Sequence, residues 1–231
     1  PELVGLSDRF QIIDEREANR ICEEVAQSWL RSHPYDLEDY LSPELDNGKR
    51  ERVIRYDLAK LVNEIALNFI HYAKDMRLTP TRLRERLDHL PISLSLAEMG
   101  CAIYSDYQRA LIYRGAVDFQ DLIRFALDTL EWDSDLLERL RYRWPYILED
   151  EAQDSSYLQE CILRLLAGET GNWVRVGDPN QAIYETFTTA DPKYLRRFVR
   201  SPGVIFRELP NSGRSTRSII ELANYLVSVS Y

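Results

Sequence analysis

The sequence predicts an α/β protein with a helical N-terminal half and a parallel sheet in its C-terminal half. Apolar residues recur at helical spacing through residues 1–115, which predicts several amphipathic helices. After residue 140, short apolar runs alternate with helical segments, and this alternation is typical of a parallel sheet. With 231 residues, of which 45% are hydrophobic and 29% charged, the chain can form a core and one or two domains.

Several helices are predicted before residue 131. Asp14, with Glu17 three residues later, predicts a cap for a first helix that continues to residue 30. A polar segment at 36–48 is predicted to be a loop, and a second helix covers about 54–73. The remaining helices are predicted to begin at Thr79-Pro80 and to cover about 95–113 and 119–130.

Three short strands are predicted in the C-terminal half, at residues 144–148, 173–176 and 204–206, with helices at about 155–166 and 192–199 between them. In parallel sheets, chemistry gathers at the carboxyl ends of the strands. The first strand, which we expect to be buried, is followed by an acidic segment, and the second is followed by a Gly177-Asp178 turn. A functional site is therefore expected where these two turns meet.

The acidic segment has four carboxylates and one glutamine within residues 149–154. Crowded carboxylates repel one another unless a cation lies among them. Mg²⁺ is typically held by one or two carboxylates together with nucleotide phosphates, and such a site suits phosphoryl transfer to water. Taken alone, however, an acidic pair is more often a solvated loop that caps the next helix.

Composition narrows the class of protein. The three cysteines are far apart and form no C-x-x-C pair, which favours a reducing, cytoplasmic compartment and argues against a disulfide scaffold or a zinc site. The three histidines are scattered and suggest neither metal ligands nor a catalytic base. No apolar stretch approaches the roughly 18 residues of a membrane helix, so no membrane partner is expected. The first residues do not resemble a signal peptide.

The charge distribution leaves a nucleic-acid partner open. A formal net charge of −9 argues against one, yet residues 49–86 contain ten basic and five acidic residues. This stretch predicts either a surface that binds nucleic-acid backbone and weakens with salt, or an ordinary solvated helix surface.

Five segments of the sequence resemble, in the correct order, the motifs of a known family. Residues 150–154 read D-E-A-Q-D after an apolar run, and this string resembles the Walker B element of UvrD/Rep-type superfamily 1 DNA helicases. The other four resemble neighbouring motifs of that family: I-Y-S-D-Y-Q at 103–108, V-D-F-Q-D-L-I at 117–123, V-G-D-P-N-Q-A-I-Y at 176–184 and E-L-P-N-S-G-R-S-T at 208–216.

This resemblance implies part of a RecA-like P-loop NTPase core, with a parallel sheet and an inserted all-helical domain. It divides the chain into the inserted helical domain at 1–115, the second part of the first RecA-like domain at 116–206 and the start of the second RecA-like domain at 207–231. The sequence contains no G-x-x-x-x-G-K-[ST] phosphate loop. We therefore expect an excerpt that lacks this loop and the C-terminal motifs, and that binds ATP poorly and does not hydrolyse it by itself.

The resemblance also implies roles at a site for ATP and Mg²⁺. Asp150 would hold Mg²⁺, and Glu151, beside the metal, would act as the general base. Gln181 would contact the γ-phosphate, and Arg214 would supply positive charge to it. The residues that would line the nucleotide site and connect it with neighbouring motifs are Gln153, Asp154, Gly177 and Asp178.

DNA contacts are implied at two places. Tyr184 and Phe187 would lie near single-stranded DNA and stack on its bases, with core packing as the alternative. The basic stretch would contact duplex DNA through Arg82, Arg84 and Arg86. Gly213 stands where the family has a tyrosine that stacks on adenine, so nucleotide preference is expected to be relaxed.

The implied activity is ATP-driven translocation on single-stranded DNA, 3′ to 5′, with unwinding of duplex DNA. Two alternatives stay open at this point. One is a non-catalytic DNA- or partner-binding module that keeps this fold, and the other is the motor part of a helicase–nuclease. The sequence leaves the pathway and the oligomeric state open.

Overall fold

The computed structural model describes residues 2–37, 40–41, 46–168, 171–182, 189–209, 211 and 213–229, with the backbone alone described at Asn47 and Arg55. Within these ranges no helix is both long and apolar enough to cross a bilayer. Most of the described chain is helical, and four short strands form two separate parallel pairs.

Helices occupy most of the described chain up to residue 114, as the apolar periodicity predicts. They are α1 (Glu15–Ser32), α2 (Asn47–Arg52), α3 (Leu58–Asp75), α4 (Pro80–Asp88) and α5 (Ser95–Arg114). The predicted caps are confirmed, because Asp14 accepts the backbone N–H of Glu17 at 2.8 Å and Thr79 accepts that of Arg82 at 3.3 Å. A π-helical turn, Val53–Asp57, joins α2 to α3 without a break.

The main core lies where α1, α3 and α5 pack together. Ile21, Val62, Ile70, Ile103 and Leu111 are each at most 1% exposed. Burial of each such side chain stabilises the fold by about 1.5–3 kcal/mol, so this helical cluster is the chief source of stability.

The cysteines behave as packing residues. Cys22 and Cys101 are buried and Cys161 is half-buried, and all three are free thiols. Burial raises the pKa of the Cys22 thiol to about 12, so this group is uncharged at neutral pH.

Five α-helices and a short 3₁₀ turn at Ala152–Asp154 follow in the rest of the described chain, and the α-helices are α6 (Phe119–Trp132), α7 (Ser134–Arg143), α8 (Tyr157–Ala167), α9 (Lys193–Val199) and α10 (Arg217–Val229). Three of them confirm the predicted helices at 119–130, 155–166 and 192–199. Ser156 begins α8 with a reciprocal cap, in which Ser156 and Gln159 each bind the other's backbone N–H. Helix α7 was not predicted, because its ten residues carry only three leucines as an apolar stripe.

The strands are β1 (Gln11–Ile12), β2 (Ala116–Val117), β3 (Ile147–Glu149) and β4 (Trp173–Arg175). β1 pairs with β2, and β3 pairs with β4, both in parallel. In the second pair Ile147 lies opposite Trp173, and Glu149 lies opposite Arg175. The parallel arrangement expected after residue 140 is therefore present as a two-stranded ladder.

Two predictions about the strands are wrong: that residues 204–206 form a strand, and that the strand before the acidic segment is buried. Residues 204–206 form no strand, and Ile205 is 78% exposed, because no neighbouring strand pairs with this segment in the described chain. β3 is not buried either, since Leu148 is 78% exposed and Val174 beside it is 52% exposed. Helix α8 covers one face of the ladder, and the face that carries these two side chains stays open.

The helical N-terminal half is tied to the remainder by α3. Lys74, near the end of this helix, is fully buried against α6, where its Nζ lies 2.5 Å from Asp118 Oδ2 and 2.8 Å from Asp121 Oδ2. The neighbouring Asp75 carboxylate accepts the backbone N–H groups of Tyr157 and Leu158 at the start of α8. The last turn of α3 thus contacts the starts of both α6 and α8.

Candidate functional site

The acidic turn after β3 is held against the end of β4 by backbone hydrogen bonds. The N–H of Val176 donates to Glu149 O, and the N–H of Ala152 donates to Val176 O. Asp150 and Glu151 sit at the tip of this turn and are exposed. Glu151 has a φ of +51°, and a non-glycine residue in this conformation is uncommon and concentrated at functional sites.

Gln153 connects the acidic turn to the glycine turn after β4. It is 2% exposed, and its Nε2 donates to Glu151 Oε2 at 2.7 Å. Its Oε1 accepts the backbone N–H of Asp178 at 3.1 Å. The two turns approach closely only because residue 177 is glycine: a Cβ there would lie 2.4 Å from Gln153 Oε1 and 2.9 Å from Ala152 N.

Gln181 is joined to the same group of residues. Its Nε2 donates to Asp178 Oδ2 at 2.9 Å, and its backbone N–H donates to Asp178 O at 2.9 Å. The hydrogen bonds therefore run without interruption from Glu151 through Gln153 and Asp178 to Gln181. We call these four residues the polar chain.

Glu149 has a different role from the other acids of its segment. Its carboxylate receives hydrogen bonds from Arg175 Nη2 and from the indole N–H of Trp173, each at 3.0 Å. Arg175 also binds Glu160, and its side chain is completely buried. The expectation that the four carboxylates need an external cation is thus wrong for Glu149, because Arg175 already supplies a cation inside the fold.

The remaining acids suit a single metal position rather than a full cage. Among the described residues, no group of three or more His, Cys, Asp or Glu side chains is placed to hold a metal ion. Asp150 and Glu151 are nevertheless adjacent and exposed, which matches a cation held by one or two carboxylates and otherwise by phosphate and water oxygens. Asp154 has one buried carboxylate oxygen, Oδ1, without a hydrogen-bond partner in the described chain.

Three further sequence-predicted residues keep their roles as predictions. Arg214 lies in the exposed segment just before α10, and its role at the γ-phosphate stays a prediction. Tyr184 and Phe187 lie outside the described residues, so their stacking on DNA also stays a prediction.

At least five of the ten basic residues in the stretch 49–86 form ion pairs with carboxylates of the described chain. Arg84 binds Glu98 of α5 through both terminal nitrogens and also binds Asp88, so its guanidinium fastens α4 to α5. Arg82 and Arg86 are exposed on the same helix. Other ion pairs of the stretch between described residues include Lys49–Asp46, Lys60–Glu64, Lys74–Asp118, Lys74–Asp121, Arg77–Asp128 and Arg77–Glu131.

The motifs at 103–108 and 117–123 meet in one buried polar cluster around Lys74. The central position of Lys74 was not predicted. The hydroxyl of Tyr107 donates to Asp118 Oδ2 at 2.8 Å, and the amide of Gln108 lies 3.4 Å from Asp121 Oδ1. Burial raises the pKa of Tyr107, so its hydroxyl keeps the proton that it donates. Asp118 and Asp121 stand at the start of α6, where acids are ordinary capping residues, so the sequence alone carries no signal that a buried cation faces them.

Comparison with known proteins identifies the family. Residues 1–202 match the UvrD/REP helicase N-terminal domain. The chain belongs to the UvrD/Rep helicase family. Membership implies a RecA-like helicase fold, to which the parallel β3–β4 ladder with its flanking helices corresponds.

The relatives of this chain carry helicase names. This chain is 33% identical over 189 residues to an ATP-dependent helicase/nuclease subunit of Lysinibacillus sphaericus, an alignment that covers 74% of this chain and 15% of that protein. It is 36% identical over 126 residues to DNA helicase II of Escherichia coli, covering 54% and 17%. It is 30% identical over 229 residues to ATP-dependent DNA helicase PcrA of Leuconostoc citreum, covering 98% and 26%. The chain thus spans between 15% and 26% of the length of these relatives.

Proposed function

We propose that this chain supplies the metal-binding, water-activating and γ-phosphate-contacting residues of an ATP-dependent DNA helicase. Asp150 would hold Mg²⁺, which when bound neutralises phosphate charge during hydrolysis of ATP. Glu151 would accept a proton from the attacking water as general base. Gln181 would contact the γ-phosphate, and Arg214 would offset the charge that develops on it.

The polar chain carries this proposal. It joins Glu151, the proposed base, to Gln181, the proposed γ-phosphate contact, through one buried amide and one carboxylate. A shift of Gln181 toward a phosphate would therefore be transmitted to Glu151 by the hydrogen bonds of Asp178 and Gln153. A solvated loop that merely caps a helix would not need a buried glutamine between two turns.

The arrangement of domains is part of the proposal. We assign residues 1–115 to an inserted helical domain, 116–206 to the second part of a first RecA-like domain and 207–231 to the start of a second. The β1–β2 pair supports the first boundary, because it brings together the segments just before α1 and just after α5. The buried contacts of Lys74 with Asp118 and Asp121 join the first two proposed units.

DNA is the proposed partner, as the names of the relatives indicate. The proposed direction of movement along a single strand is from 3′ to 5′. Of the predicted duplex contacts, Arg82 and Arg86 are the better candidates, since both are exposed while Arg84 is held by Glu98. Tyr184 and Phe187 remain the proposed stacking residues.

The test is Glu151→Gln in the helicase that carries this sequence. Loss of a general base lowers a rate by about 10²–10⁴-fold, so we expect DNA-stimulated ATP hydrolysis to fall at least about 100-fold in kcat with little change in the KM for ATP. The control is Glu85→Gln, an exposed glutamate on α4, which should leave the rate unchanged. A Glu151→Gln enzyme that keeps its rate within about threefold would contradict the assigned role.

A second candidate is the motor part of a helicase–nuclease. The name of the Lysinibacillus relative, which aligns with 74% of this chain, favours it. Both candidates require the same ATP site, so nuclease activity on a labelled DNA in the presence of Mg²⁺, measured with the helicase that carries this sequence, distinguishes them.

A further inference from the structure

Helix α9 presents a row of cations on one face. Three basic residues of α9 and the residue that caps its carboxyl end occupy the i, i+3, i+4 and i+7 positions, which share one side of a helix. These residues, which we call the α9 basic face, are Lys193, Arg196, Arg197 and Arg200, and all four are exposed. The row extends about 10 Å along the helix axis, enough for about three successive phosphates of one strand of B-form DNA.

The opposite side of α9 is firmly anchored. Tyr194 and Leu195 are each 5% exposed. The ring of Phe198 packs on Trp173 of β4 with a centroid separation of 4.9 Å, and the buried Arg175 guanidinium lies 5.2 Å from the same ring. The backbone of a helix held in this way is already ordered, so little backbone freedom needs to be lost on binding.

An open cavity of about 480 Å³ lies on this face. Its described lining consists of the four basic residues with Ser201 and Pro202, and none of these is acidic. Lys193 pairs with Asp191 at the edge of the face, and this hydrogen bond raises the pKa of Lys193. Arg197 and Arg200 form no ion pair with a carboxylate in the described part of the chain. In a protein of net charge −9, such a concentration of cations favours a polyanion as occupant.

We propose that the α9 basic face is a binding surface for the phosphate backbone of DNA. The identification of the polyanion as DNA rests on the proposed function, whereas the position of the surface rests on the spacing, exposure and anchoring of these four residues. Arginine forks match phosphate oxygens in pairs, and contacts to phosphate are independent of base sequence.

The surface lies beside the candidate nucleotide site. Arg196 Nη2 is 3.4 Å from Pro179 O, in the turn that carries Asp178 and Gln181. A methyl group at Gly177 would lie 3.1 Å from Leu195 Cδ2, so the buried side of α9 touches the same turn. A DNA strand held on α9 would therefore be next to the segment proposed to contact the γ-phosphate.

The test compares two variants of the 231-residue chain that change the net charge equally. In the first, Arg197→Glu and Arg200→Glu reverse two cations of the α9 basic face that form no ion pair within the described chain. In the matched control, Arg139→Glu and Arg143→Glu reverse two exposed arginines near the carboxyl end of α7. Binding to a fluorescent oligothymidylate of about 20 nucleotides is followed by anisotropy between about 50 and 200 mM salt.

We expect the α9 variant to bind at least about fivefold more weakly at low salt, and its salt slope to fall by about 1.4, since each lost contact to a single strand contributes about 0.7. The α7 control should keep most of the affinity and the salt slope. The milder pair Arg197→Gln and Arg200→Gln should give an intermediate loss, and circular dichroism confirms that each variant is folded.

Two outcomes would overturn the proposal. The first is an α9 variant that binds like the wild type; if binding is then lost on Arg82→Glu and Arg86→Glu, the DNA lies on α4. The second is an equal loss in the α7 control, which would show a general effect of net charge. A wild-type chain that binds no oligonucleotide at all would instead contradict the DNA partner of the proposed function itself.

Discussion

The two turns of the candidate site can lie close to each other because residue 177 is glycine and has no side chain. Replacement by alanine would place a methyl group 2.4 Å from Gln153 Oε1 and 2.9 Å from the backbone nitrogen of Ala152. The backbone nitrogen cannot move aside easily, so we expect Gly177→Ala to lower the free energy of unfolding by about 1–3 kcal/mol. Urea denaturation of the chain measures this.

The control for this substitution is Gly213→Ala, where a methyl group would meet nothing within 4 Å. It should change stability by less than about 0.5 kcal/mol. Equal stability of the two variants would show that the close approach of the turns at Gly177 is not a real constraint on the fold.

The sequence predicted correctly that several polar residues of the two turns lie close together, while their roles stay predictions. Asp150, Glu151, Gln153, Asp178 and Gln181 were all expected near one site, and they lie in two adjoining turns. Glu149 was grouped with these acids because it stands next to them in the sequence and carries the same charge. Its partner is 26 residues away, so only the folded chain shows that Arg175 binds it.

At the scale of secondary structure elements, the last turn of α3 is held by a buried ion pair with the start of α6. Lys74 has no exposure to solvent, and removal of its charge would leave Asp118 and Asp121 buried without a cation. We expect Lys74→Met to lower the free energy of unfolding by about 3–5 kcal/mol. Lys60→Met, an exposed lysine on the same helix, should cost less than about 0.5 kcal/mol in the same urea titration.

The effect of Lys74→Met should depend on pH. Burial by itself would raise the pKa of Asp118, but the charge and hydrogen bond of Lys74, with the N–H of Asp121 and the Tyr107 hydroxyl, hold it below its usual 3.8. A depressed pKa contributes stability that is present above the unfolded value and is lost as pH falls through the folded value. The difference between wild type and variant should therefore shrink below about pH 4, and a constant difference from pH 7 to pH 3 would contradict this account.

Element boundaries were predictable where a cap or a periodic face lies within a few residues. Asp14 and Thr79 begin their helices as expected, because capping needs only the next three residues. The proposed strand at 204–206 failed for the opposite reason, since a strand needs a neighbour that its own residues cannot specify. Helix α7 was missed although Asp133 accepts the N–H of Leu136, a capping signal that the sequence does contain.

At the scale of the whole molecule, the 231-residue chain has the acidic and γ-phosphate-contacting residues of the proposed site but no G-x-x-x-x-G-K-[ST] sequence. That loop surrounds nucleotide phosphates with backbone N–H groups and a lysine, so without it Asp150 and Gln181 would meet the triphosphate from one side only. We expect the chain by itself to bind ATP weakly and to show no Mg²⁺-dependent ATP hydrolysis, with or without DNA. Phosphate release measured with and without an oligothymidylate tests this. A DNA-stimulated rate that disappears on Glu151→Gln would show instead that the described turns suffice for catalysis.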